Sequence, residues 1–159
     1  MKFIHSSLGL MLSILLVSSC SKKPDVEYTS TYKMSGEWFA RYYSNGAPVT
    51  SYHAILTYNT SDPNSNQVWV DDEGQWPLKS KFDVDYPNLT FKPMNNVANA
   101  ADASIKVKLI EGKVLTGAGR TKSGNTADSI YLRLEFTDDP GKVYELKGHH
   151  RSGFFEDEY

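Results

Sequence analysis

The stretch "DSIYLRLEF", residues 128–136, alternates apolar and polar side chains along its length. Ile130, Leu132, Leu134 and Phe136 fall on one side, with Tyr131, Arg133 and Glu135 on the other. A period of two cannot form the stripe of a helix; it makes a strand with one dry and one wet face. "ASIKVKLI" repeats the pattern with Ile105, Val107 and Leu109 against Lys106 and Lys108, and "KFDVDY" with Phe82, Val84 and Tyr86 against Asp83 and Asp85. No long window carries a helical stripe, so the chain reads as all-β and antiparallel.

Turn chemistry divides the alternating runs. "SNGAP" at 44–48, "SDPNSN" at 61–66, Glu111-Gly112, "KSGN" at 122–125 and "DDPG" at 138–141 are read as turns. Strands are expected near 34–43, 51–59, 66–71, 80–92, 104–110, 113–119, 128–137 and 142–151. Pro87 cannot donate to a ladder, so the fourth must bulge, bend or divide. "PMNNVANAADA", 93–103, is the one place for a short helix or a long loop. Eight strands in an up-and-down meander close into a barrel and remove the exposed edges of an open sheet.

The first residues lie outside that pattern. Met1-Lys2 is a short basic start, Phe3 to Val17 is largely apolar, and "VSSC" ends at Cys20. This reads as a signal peptide over 1–19, too short to stay as a spanning helix. "VSSC" resembles the lipobox of bacterial lipoproteins, which implies cleavage before Cys20 and acylation of its thiol. Cys20 is the only cysteine, so no disulfide can form within one molecule. Each buried CH₂ contributes about 0.8 kcal/mol, so several acyl chains anchor where one does not. Residues 20–32 are then an acylated N-terminus and flexible tether, and 33–159 a barrel domain whose acidic tail, "FFEDEY", is expected to be solvated. The expected location is the outer membrane, lipid-anchored, with its periplasmic or surface face left open. From residue 20 onward there are 16 basic and 19 acidic residues. No basic patch points to nucleic acid, and the domain is expected to be a monomer.

Gly36-Glu37-Trp38 opens the first strand. It resembles the Gly-x-Trp motif of the lipocalins, and that resemblance implies a tryptophan at the closed base with an arginine from the last strand laid across it. Arg151, within "GHHRSGF", stands where that arginine would come from. An even strand count returns Arg151 to the Trp38 end, and an odd count sends it to the other rim. The lipobox, the Gly-x-Trp opening, the tyrosine-rich early strands and the closing "GHHRSGFFEDE" together resemble a family of lipocalin-like lipoproteins named lipid-binding putative hydrolases. Gly36, Trp38 and Arg151 are accordingly expected at the structural base.

No catalytic constellation is legible. Ser30-Thr31-Tyr32-Lys33, Tyr43-Ser44-Asn45 and Lys122-Ser123-Gly124 match serine acyl-transferase fragments, but those work on a larger α/β scaffold. His149 and His150 are adjacent on a strand and point to opposite faces. No metal and no cofactor is expected: "VDDEGQW", 70–76, lacks alternating oxygen ligands and reads as a solvated turn. Asp128-Ser129-Ile130 fits a short glycosylation pattern of some exported proteins.

Tyrosines concentrate on the first two strands, and an aromatic ring with a polar handle suits an amphipathic ligand. With Trp38 at the closed end, loops 44–50 and 72–79 lie at the open one. Trp76, Tyr42, Tyr43, Tyr52 and Trp69 are the expected ligand-proximal residues. The sequence thus points to a membrane-anchored barrel binding a small hydrophobic or amphipathic ligand, a lipid first among them. The alternatives are a filled barrel that binds a protein or glycan partner and, remotely, a hydrolase.

Overall fold

The computed structural model describes residues 27–159. The expected signal peptide, Cys20 and the first part of the expected tether lie outside the described residues. The strands are β1 (Gly36–Ser44), β2 (Ala47–Pro48), β3 (His53–Asn59), β4 (Gln67–Asp71), β5 (Lys79–Asp85), β6 (Thr90–Phe91), β7 (Met94–Ala98), β8 (Lys106–Arg120), β9 (Thr126–Phe136) and β10 (Tyr144–His150). Single 3₁₀ turns at Tyr32–Met34 and Phe155–Asp157 flank them.

The sheet runs β1-β3-β4-β5-β6-β8-β9-β10, and β10 returns to pair with β1. Every pairing is antiparallel, and seven register pairs, from Trp38 opposite His150 to Ser44 opposite Tyr144, close the ring. β2 is a short return on β1 across Asn45-Gly46, where both residues take positive φ (51° and 80°), as a tight hairpin turn requires. β7 continues β6 along β8. This is the expected all-β, eight-stranded antiparallel up-and-down barrel.

The count of eight is reached differently from the sequence reading. The stretch 80–92 divides at the turn Tyr86–Leu89, which holds Pro87, and β5 and β6 run antiparallel. The expected strands at 104–110 and 113–119 are one, β8. The turn expected at Glu111-Gly112 is therefore a correction. Gly112 lies in the ladder opposite Leu132, and a Cβ there would meet Leu132 at 2.5 Å and Phe91 at 3.0 Å. The glycine serves a close approach inside the wall, and bulges on either side of it bend β8. Most of the segment expected as a helix or loop at 93–103 is β7 and its continuation, with a bulge between Met94 and Val97. One division and one merger cancel, so the count stays even.

Alternate residues face inward: Trp38, Ala40 and Tyr42 from β1, Val68 and Val70 from β4, Phe82 and Val84 from β5, and Ile130, Leu132 and Leu134 from β9 are all buried. Each large apolar side chain so buried contributes about 1.5–3 kcal/mol. An eight-stranded barrel is just wide enough for side chains to fill it, and these side chains do so.

The two ends are built differently. At the base, the chain before β1 folds onto the barrel. Tyr28 and Tyr32 stack at 4.4 Å, Ser30 donates to the Ser65 carbonyl, and Met34 is fully buried. The folded domain thus begins before residue 33. The C-terminal tail is also pinned there through the buried Asp157, while Phe154, Phe155 and Glu156 stay exposed. Asp157 accepts from the Ser123 amide at 2.8 Å and Ser152 at 2.6 Å, and Tyr159 reaches along the outer wall to stack on Tyr52 at 4.5 Å. At the mouth lie the loops 45–52, 72–78, 99–105 and 137–143.

Candidate functional site at the barrel mouth

Loop 72–78 folds inward over the mouth. The Asp72 amide donates to the Leu78 carbonyl at 3.0 Å, and Glu73 and Gly74 turn the chain with φ of 54° and 92°. Leu78 is fully buried. The loop carries Trp76 against the rings of Tyr144 at 5.0 Å, Tyr42 at 5.2 Å and Phe136 at 6.2 Å. These are tilted or offset aromatic contacts, favourable beyond the area they bury.

Beneath the indole is a buried polar pair. Tyr42 donates its hydroxyl to Asp72 at 3.1 Å, and the Gly74 amide donates to the other Asp72 oxygen at 3.2 Å. Both residues are fully buried. Burial pushes the Asp72 carboxyl up from 3.8 to about 6, although these hydrogen bonds favour its ionised form. Burial, reinforced by the Asp72 charge, also pushes the Tyr42 hydroxyl well above its ordinary 10. His53 stacks on Tyr42 at 6.0 Å. Its Nδ1 lies 3.2 Å from the Ser51 carbonyl, and its buried Nε2 has no hydrogen-bond partner among the described residues. The mouth therefore combines an aromatic surface with a carboxylate, a phenol and a free imidazole nitrogen.

Of the five expected ligand-proximal residues, the structure brings together Tyr42 and Trp76. Tyr43, Tyr52 and Trp69 lie on the outer wall, a correction to their grouping with the mouth. Tyr43 follows Tyr42 on one strand, so the two must face opposite ways. Arg41 donates to the Tyr43 hydroxyl at 2.8 Å, and its guanidinium lies 4.6 Å from the Tyr52 ring. Trp69 alternates with the buried Val68 and Val70 and stacks outside on Tyr58 at 6.3 Å.

Sequence reasoning missed Phe136 and Tyr144 as partners of Trp76, and Asp72 and His53 as partners of Tyr42. A signal for Asp72 was present: extending the inward alternation of Val68 and Val70 by one step places it inside. The "VDDEGQW" stretch is no solvated turn at that position.

At the base, Trp38 is buried, and its indole N–H donates to Thr57 at 2.8 Å. Thr57 in turn donates to the Met34 carbonyl at 2.7 Å. Arg151 does reach the start of β1, where its amide donates to the Glu37 carbonyl at 2.9 Å. Its guanidinium does not cross Trp38, and this corrects the expected pairing. It binds Glu37 at 2.7 Å and Glu158 at 2.8 Å and lies over Phe39 at 5.5 Å. The register explains the difference: His150 is the residue opposite Trp38 and meets it edge-on at 5.0 Å. Gly36 allows this, because a Cβ there would collide with the His150 ring.

The acyl-transferase fragments do not converge. Ser30 sits at the base and Ser44-Asn45 at the mouth, a barrel's length apart. No group of three or more His, Cys, Asp or Glu among the described residues could hold a metal ion.

No curated protein matches the chain. Residues 23–155 match the family described as "Lipid-binding putative hydrolase". With that match spanning most of its length and a closed eight-stranded barrel beneath it, the chain belongs to this lipid-binding family.

Proposed function

We propose that the protein is an envelope lipoprotein, tethered to the outer membrane through Cys20, that takes up an amphipathic lipid at the barrel mouth with Trp76 as its gate. The family supports lipid as the ligand class. The observation that carries the site is the set of rings under Trp76: Tyr42, Phe136 and Tyr144 form an apolar surface that a seven-residue loop, not the barrel wall, covers. Because the interior below is filled, the ligand exchanges with Trp76 and does not enter an open cavity. An acyl chain takes the place of the indole on the rings, while Asp72, Tyr42 and His53 hold hydrogen-bonding groups of the head. Native mass spectrometry of the full chain purified from cells tests this. The expected result is a covalent acyl mass at Cys20 and a non-covalently bound lipid. Protein that carries no lipid and takes up none when it is offered overturns the reading.

One observation favours the second reading, a glycan partner. Outside the barrel, Trp69 and Tyr58 form a platform with Lys81 at 5.3 Å, beside a cleft of about 260 Å³. A sugar ring stacks on such a surface. Oligosaccharide binding that Trp69→Ala abolishes, in protein that carries no lipid, would select it.

A further inference from the structure

Phe154 and Phe155 are 61% and 92% exposed, beside the base of the barrel. They are not on a loose end. Phe155 opens a 3₁₀ turn, and the last residue of that turn, Asp157, is clamped by the Ser123 amide and the Ser152 hydroxyl. Arg151, bound to both Glu37 and Glu158, ties the same segment to β1. A fold that spends this many hydrogen bonds on holding two phenylalanines in water needs a surface to receive them. Phe154 also walls a cleft of about 390 Å³ between the β8–β9 turn and the end of β10.

Two more exposed aromatics, Tyr28 and Tyr32, stand at the same end, where the described chain begins. Glu27 is seven residues from Cys20. A fully extended chain spans at most about 3.6 Å per residue, so an anchor at Cys20 holds this end within about 25 Å of the lipid surface. Aromatic side chains of this kind settle at the membrane–water boundary.

We infer that the base of the barrel is a membrane-docking face, on which Phe154 and Phe155 insert at the surface of a phospholipid bilayer. The leash argument rests on the anchoring reading; the exposed pair does not. Glu156, exposed beside the pair, is offset at the same end by the exposed Lys33 and Lys122, so the contact rests on the apolar rings and not on headgroup charge. In this pose the Trp76 mouth points away from the membrane, and ligand arrives from the aqueous side.

The test places a tryptophan at the contact. Phe155→Trp in the full chain, bound to phosphatidylcholine vesicles with brominated acyl chains, should be quenched at least about twofold more than the parent protein and should shift to the blue. An indole at position 155 that emits as in water on vesicle-bound protein overturns the inference. In the chain from Ser21 onward, which holds the whole folded domain without the anchor, the Phe154→Ser/Phe155→Ser pair should lower vesicle partitioning by about tenfold. No change, or no partitioning of the unsubstituted chain at all, also overturns it. Loss of the anchoring reading shows up separately, as a Cys20 that carries no acyl mass.

Discussion

The base and the mouth close the same barrel by opposite means. At the base a tryptophan is capped by a satisfied relay, from the Trp38 indole to Thr57 to the Met34 carbonyl. At the mouth a tryptophan is only partly covered, and beneath it lies a buried carboxylate that pairs with no cation among the described residues. Satisfied polar groups cost little, whereas a buried charge without a counter-ion costs several kcal/mol unless it takes up a proton. The first arrangement stabilises. The second gives up stability at the end where the proposed ligand would exchange.

The contrast is broken most forcefully at the base. Trp38→Ala should cost about 3–5 kcal/mol by urea unfolding, because it opens a cavity and removes one of the two hydrogen-bond partners of the Thr57 hydroxyl. A loss below about 1 kcal/mol would mean the base is no keystone. Asp72→Asn should act the other way. The folded carboxyl titrates near 6, above its ordinary 3.8, so its contribution is favourable below about pH 4 and is lost as pH rises through 6. At pH 8 the substitution should raise stability by roughly 1–3 kcal/mol and flatten the dependence on pH between about 4 and 6. Unfolding curves at several pH values check this, and a destabilised variant at pH 8 would show that the carboxylate is well solvated.

Trp76→Ala should lower stability by only about 1–2 kcal/mol, less than its counterpart at the base, because the indole is partly exposed and the loop can collapse. It should also impair lipid retention, read by native mass spectrometry. Trp69→Ala, on the outer wall, should change stability by less than about 1 kcal/mol and leave lipid retention intact.

The wall was legible in the sequence because its signal is local. "DSIYLRLEF" became β9 with the expected faces, and Asn45-Gly46 became the tight turn between β1 and β2. Gly112 misled because a glycine in a strand and a glycine in a turn look alike until the opposing residues, Leu132 and Phe91, are known. The site was less legible. Tyr42 with Tyr43 was an internal contradiction that alternation alone could have removed. Tyr144 and Phe136 were beyond reach, since their contact with Trp76 depends on where a loop folds. Arg151 shows how far parity carries: it returned the residue to the correct end, while the choice of partner depended on a one-residue register.

Hydrogen exchange with and without palmitate tests the central claim most directly. The amides of 72–78, around Trp76, should change their exchange on binding, while those of 34–38 and Thr57 at the base stay as they were. Palmitate that binds and alters exchange at the base or the outer wall, with loop 72–78 unmoved, would contradict it.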